Sequence, residues 1–197
     1  MILNGAINQA IKNGILNKNV VTLTERKSMK DKEYIPYTPE ELFELIRVSK
    51  DEWLYHAIVL EAYTGLRRGE LLALTWDDIN FAEGYLEVKR SLIGYHDDEA
   101  DDMVYVMTDP KTDKSKRKVP LEPEVISVLK SHRTEQSELR LMSGSSDFNP
   151  DNLVVCNMDG TLIKPQSFTY QFRALLKKNN LRHVRFHDCA TPLQRFF

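Results

Sequence analysis

The chain has 197 residues, of which 42% are hydrophobic and 28% charged, with a formal net charge of −2. That length suits one domain of ordinary size with a short appendage, and the composition excludes a disordered or fibrous chain. No apolar run approaches the roughly 18 residues of a membrane helix, the start Met1-Ile2-Leu3-Asn4-Gly5 has no secretory pattern, and Cys156 and Cys189 alone make no disulfide framework, so a cytoplasmic protein without membrane contact is expected.

Ile2, Leu3, Ala6, Ile7, Ala10 and Ile11 recur at helical spacing, and Gly14 sits where that helix stops. Residues 17–33 are polar, with mixed charge and few apolar positions, and read as a linker. Thr38-Pro39-Glu40-Glu41 is a helix start: Thr38 can cap, Pro39 suits the first turn and Glu41 can close a capping box. Leu42, Phe43, Leu45 and Ile46 are expected to supply its buried stripe. A second helix runs through Trp53, Ala57, Ile58, Leu60 and Ala62 to Gly65, and a third through Leu71, Leu72 and Leu74.

The period then changes. Tyr85–Arg90 alternates like a strand, and Met103–Met107 and Lys118–Leu121 read as two more, with Pro120 marking an edge or an end. Helices resume at Pro123–Leu141, with Val125, Ile126, Val128 and Leu129 inward, and at Ser167–Lys178, with Phe168, Phe172, Leu175 and Leu176 at helical spacing. The expected class is α+β, mainly α: a helical domain with a small three-stranded antiparallel sheet built from residues near 85–90, 103–108 and 117–121.

Charge is local despite the near-neutral total. Five acids, Asp97, Asp98, Glu99, Asp101 and Asp102, precede Met103–Met107, and five bases, Lys111, Lys114, Lys116, Arg117 and Lys118, follow it. Either run alone reads as a solvated loop. Together they give a hairpin with an acidic and a basic end, and the basic end suits a phosphate backbone. Metal ligation is not expected, because the five His and two Cys are scattered along the chain and no CxxC pair occurs. GxxxxGK[ST], GxGxxG and GxSxG are absent as well, so nucleotide binding and a serine-elbow nucleophile have no support.

What remains is cations at the ends of elements. In Thr64-Gly65-Leu66-Arg67-Arg68-Gly69-Glu70, a glycine breaks one helix and Arg67 stands at the start of the next, where unsatisfied backbone N–H groups also favour an anion. Glu70, one turn on, can hold the Arg67 side chain. Pro110-Lys111-Thr112 opens the basic segment, and Arg185-Phe186-His187-Asp188 lies near the end. In this order and spacing the three segments resemble the tyrosine recombinases of the phage-integrase family. Residues 64–79 resemble the first arginine box, Pro110-Lys111-Thr112 the hairpin bearing the catalytic lysine, and Arg185–Asp188 the opening of the second box, H-x-x-R. The resemblance covers roughly residues 36–188.

It implies three regions: the last helix of a SAM-like core-binding domain at 1–20, a linker at 21–35, and a catalytic domain from 36 to 197 that is incomplete at its C-terminus. The implied activity is DNA cleavage by a tyrosine that forms a 3′-phosphotyrosyl bond and frees a 5′-OH, with no metal or other cofactor. Arg67 would clamp the phosphate, Lys111 protonate the leaving oxygen, and His187 assist, with Glu70 supporting Arg67. Arg68, Lys114, Lys116, Arg117 and Lys118 would contact double-stranded DNA at a recombination site, with several copies of the chain assembled on it.

Two departures qualify the match. The second-box arginine position holds Ala190, Arg195 being five residues too far along, and no tyrosine follows His187. Asp188–Leu193 reads as family sequence with a few residues lost after Asp188, by deletion, frameshift or an error in the recorded sequence. The expectation is a recombinase fold without its nucleophile, inactive alone. The alternative is a non-catalytic DNA-binding or regulatory protein that keeps the fold.

Overall fold

Two units divide the chain, Met1–Tyr34 and Ile35–Phe197. The structure, a computed structural model, describes residues 2–23, 35–109, 116–145 and 147–189. The first unit holds helix α1 (Ile2–Lys12) and a 3₁₀ turn at Val20–Leu23. The Asn19 amide bridges back to α1, donating to Asn4 Oδ1 and Asn8 Oδ1 at 2.6 Å each.

The second unit opens with α2 (Pro39–Val48), whose start is the expected capping box. Thr38 Oγ1 accepts from the Glu41 N–H at 3.3 Å, and Glu41 Oε2 accepts from the Thr38 N–H at 2.8 Å. Leu42 and Leu45 are fully buried and Ile46 packs beside them, but Phe43 is exposed. One position beyond Leu42 is a rotation of about 100°, which carries Phe43 off the stripe. Helix α3 (Tyr55–Thr64) is buried on nearly every side and ends at Gly65, which takes the left-handed conformation (φ 60°) that other residues adopt only at a cost. Helix α4 (Arg68–Leu72) is shorter than the leucine spacing predicts. Its continuation is taken up by the Leu153 segment instead: Val154 N–H donates to Leu74 O, Trp76 N–H donates to Asn152 O, and Thr75 bridges Leu153.

The β region differs from expectation. The three-stranded antiparallel sheet consists of β1 (Ile79–Asn80), β2 (Tyr85–Val88) and, after an intervening hairpin, β5 (Arg117–Pro120). Leu86 faces both Ile79 and Val119 in its register. The expected strand at 103–107 is not part of this sheet. It is β4 (Asp102–Thr108), paired with β3 (Ser91–Asp97) in a separate two-stranded hairpin whose turn is the acidic run. β3 shows no alternation because only Leu92 is buried in it, and a period-2 reading cannot find such a strand.

Helices α5 (Pro123–Ser143) and α6 (Pro165–Lys178) complete the core. Val125 and Leu129 are buried, with Ile126 and Val128 at the margin. Phe168, Phe172, Leu175 and Leu176 of α6 are all buried. No helix among the described residues is long and apolar enough to cross a membrane.

Candidate nucleic-acid interface

Local sequence decides where Arg67 stands. Gly65 turns the chain, Leu66 is driven into the core, and Arg67 follows in extended conformation just before α4, with 76% of its side chain exposed. Glu70 reaches back to it: Oε2 accepts from the Arg67 N–H at 2.9 Å and Oε1 from Nη1 at 3.0 Å. The same carboxylate takes a second guanidinium from β5, with Arg117 Nη1 at 3.1 Å from Oε1 and Nη2 at 2.8 Å from Oε2. Burial pushes the Glu70 carboxyl up, but the bonds from Arg117 and Arg67 outweigh it and hold the group below the usual carboxylate range. Glu70 is thus a charged hub that fixes Arg67 and joins α4 to β5.

Gly69 permits this arrangement. A Cβ there would lie 2.5 Å from Ser91 Oγ and 2.8 Å from the Leu92 carbonyl, so only glycine lets α4 approach β3 this closely. His187 is placed by its neighbour. Phe186 is buried and meets Phe168 and Phe172 edge-on, at centroid distances of 4.8 and 5.2 Å, which locks the 3₁₀ turn Phe186–Asp188 to α6. His187 is left half-exposed, with Nε2 3.3 Å from Asp188 Oδ1.

Arg67, Arg68 and His187 line one cleft of about 580 Å³ with Arg173 of α6 and Arg185. Among the described residues its lining holds no carboxylate, although Glu70 bonds Arg67 and Asp188 lies 3.3 Å from His187. Four guanidiniums around one cavity give a strongly positive, fork-shaped set of donors, the geometry that matches phosphate oxygens. Arg68 Nη1 donates to Thr169 Oγ1, which steadies it against α6.

Lys116, Arg117 and Lys118 line a second groove of about 500 Å³ with Lys89, Arg90, Glu87 and Asp109. Lys118 Nζ lies 4.1 Å above the Tyr85 ring and 3.5 Å from Glu87 Oε1. Through Glu70, Arg117 links this groove to the first cleft. Lys111 and Lys114 lie outside the described residues.

Sequence reading missed three things. Arg173 gave no signal beyond a position flanking the buried stripe of α6. Arg185 was seen only as part of its segment. The third is a polar cluster: the scattered His56 and His132 come together with Glu135, their donor atoms within 4.8 Å of one another. His132 and Glu135 stand one helical turn apart, an HxxE spacing that a search for HxxxH and CxxC overlooks.

A mainly helical unit with small antiparallel sheets is the fold of its structural neighbours, which are tyrosine recombinase catalytic domains. The family model "Phage integrase family" matches residues 36–190, and the chain belongs to that family. A XerC-like tyrosine recombinase of Caldanaerobacter subterraneus subsp. tengcongensis is 31% identical, the match covering 91% of this chain and 49% of that protein. The ICEBs1 integrase of Bacillus subtilis is 26% identical over 91% of this chain and 47% of its own length. The chain therefore spans about half the length of these relatives. Among solved structures, the Tn1549 transposon integrase in complex with a circular intermediate DNA superposes with a TM-score of 0.76 at 21% identity, over 96% of this chain and 62% of that one. A structure of lambda integrase residues 75–356 bound to DNA gives a TM-score of 0.57 at 18% identity, over 98% of this chain and 62% of that one.

Proposed function

We propose that residues 36–189 form the phosphate-binding part of a site-specific DNA recombinase that acts on double-stranded DNA as an assembly of several copies. The observation that carries this reading is the basic cleft that gathers Arg67, Arg68, Arg173, Arg185 and His187. Arg67 binds a non-bridging oxygen of the scissile phosphate, where charge grows as the nucleophile attacks. Glu70 positions Arg67. His187, at the same cleft, assists proton transfer or holds the phosphate, and Lys111 acts as general acid to the leaving 5′-oxygen. Lys114, Lys116, Arg117 and Lys118 track the backbone beside it.

Within residues 1–197 the second-box arginine position is Ala190, and the last tyrosine is Tyr170, ahead of His187. This stretch by itself therefore binds DNA without cleaving it, since no covalent intermediate forms without a nucleophile. A tyrosine contributed by another protomer would restore the reaction.

The test is to incubate the purified 197-residue chain with a nicked suicide duplex and run a denaturing gel. The expected result is DNA retained in a native gel and no covalent protein–DNA band. Failure to retain DNA in the native gel would refute the phosphate-binding reading, whereas a covalent band would refute the expected lack of a nucleophile and make Tyr170, which is well exposed, the first residue to substitute.

A further inference from the structure

We propose that His56, His132 and Glu135 bind a divalent transition-metal ion of the zinc class between α3 and α5, in a cleft separate from the arginine cleft. The His132 ring is already oriented as a ligand: its Nε2–H donates to the Val154 carbonyl at 2.7 Å. A metal-bound histidine is usually held in this way, its other ring nitrogen donating to a backbone carbonyl. That bond leaves the lone pair on Nδ1, which is buried and has no hydrogen-bond partner. Such an orphaned acceptor is destabilising unless something occupies it.

Gln136 reinforces the orientation. Its Oε1 accepts from Trp76 Nε1 at 2.9 Å, so its Nε2 faces the Val154 carbonyl, also at 2.9 Å, and its amide cannot turn to serve Nδ1.

The other two ligands are close by. His56 Nε2 lies 3.8 Å from Glu135 Oε2. The His56 ring stacks on His132 at 19° with centroids 3.8 Å apart, so it has to rotate out of the stack before its in-plane lone pair can meet an ion held by His132. Among the described residues, no lysine or arginine pairs with Glu135, whose Oε1 accepts from Ser131 Oγ at 3.1 Å while Oε2 faces the His56 ring.

Two histidines and a carboxylate form a three-ligand set suited to zinc, with a further position left for water. Donors around a tetrahedral ion stand about 3.4 Å apart. The present spread of up to 4.8 Å must close by about 1.4 Å, which requires Glu135, half-exposed, and the His56 ring to swing inward. The cleft of about 430 Å³ that these residues line gives an entry path and room for that movement.

The ion would pin α3 to α5, so binding is read as stability. Zn²⁺ at a hundredfold excess over Kd should raise Tm by about 5–10 °C, an effect reversed by EDTA, and Co²⁺ should give visible d–d absorption. Glu135→Gln, on a half-exposed side chain that leaves the core untouched, should abolish both effects, as should His56→Gln. His96→Gln, at the histidine beside Asp98 and Asp101, should leave both intact. Absence of any shift in the unsubstituted chain, or a shift that survives Glu135→Gln, would overturn the proposal.

Discussion

Replacing Glu70 by Gln tests the charged hub beneath the cleft. The carboxylate is 7% exposed and receives three guanidinium bonds and one backbone N–H. Removing one partner of a fully buried pair costs about 3–5 kcal/mol. Here the abandoned cations can reach water, with Arg67 76% and Arg117 34% exposed, so solvation recovers much of that cost and about 2 kcal/mol is expected. For a chain of this size that lowers Tm by about 4–8 °C.

A double-mutant cycle with Arg117→Met separates the pair from general disruption, and a coupling of about 1–2 kcal/mol is predicted from urea melts. The pH dependence has a definite sign. Glu70 is depressed in the folded chain, so its contribution is complete above the unfolded carboxylate pKa and is lost as pH falls through the lower folded value. The stability gap between parent and Glu70→Gln should therefore be full at pH 7 and close in acid. Coupling near zero, or a gap that persists unchanged into acid, would refute the hub.

Two further substitutions probe how the cleft is held. Gly69→Ala drives a Cβ toward the Leu92 carbonyl, 2.8 Å away, and should cost about 1–3 kcal/mol in a denaturant melt, whereas a neutral result would mean that α4 and β3 can part freely. Phe186→Ala removes the ring wedged against Phe168 and Phe172 and should cost about 3–5 kcal/mol, with the His187 ring resonances moving toward free-histidine shifts in NMR. Unchanged His187 shifts would show that the turn is fixed by something else.

Features set by neighbours along the chain were legible before the fold was known. The Thr38 capping box, the Gly65 stop and the inward stripe of α6 each follow from residues within a turn or two, and all stand in the structure. Features set by distant pairing were not. β3 escaped notice because it buries only Leu92, and the partner of β4 was misassigned as a consequence. Arg117 read as one more base in a basic run, and nothing local announces that it binds a carboxylate 47 positions earlier. Arg173 reaches the cleft only because α6 packs beside α4, and His56 meets His132 only because α3 packs against α5. Family resemblance located Arg67 and His187, which share one cleft, while Lys111 lies outside the described residues.

The most direct test of the central claim, that the four-arginine cleft holds a DNA phosphate, is the salt dependence of duplex binding by fluorescence anisotropy. Each phosphate contact contributes about −0.9 to the slope of log K against log salt. Arg67→Ala and Arg173→Ala should each weaken binding and make the slope shallower by about one. Arg47→Ala, at an exposed arginine of α2 paired with Glu44 and not part of the cleft lining, should change neither. Equal losses at Arg47 and Arg67, or an Arg67→Ala, Arg173→Ala double variant that binds with the parent slope, would contradict the assignment of the cleft.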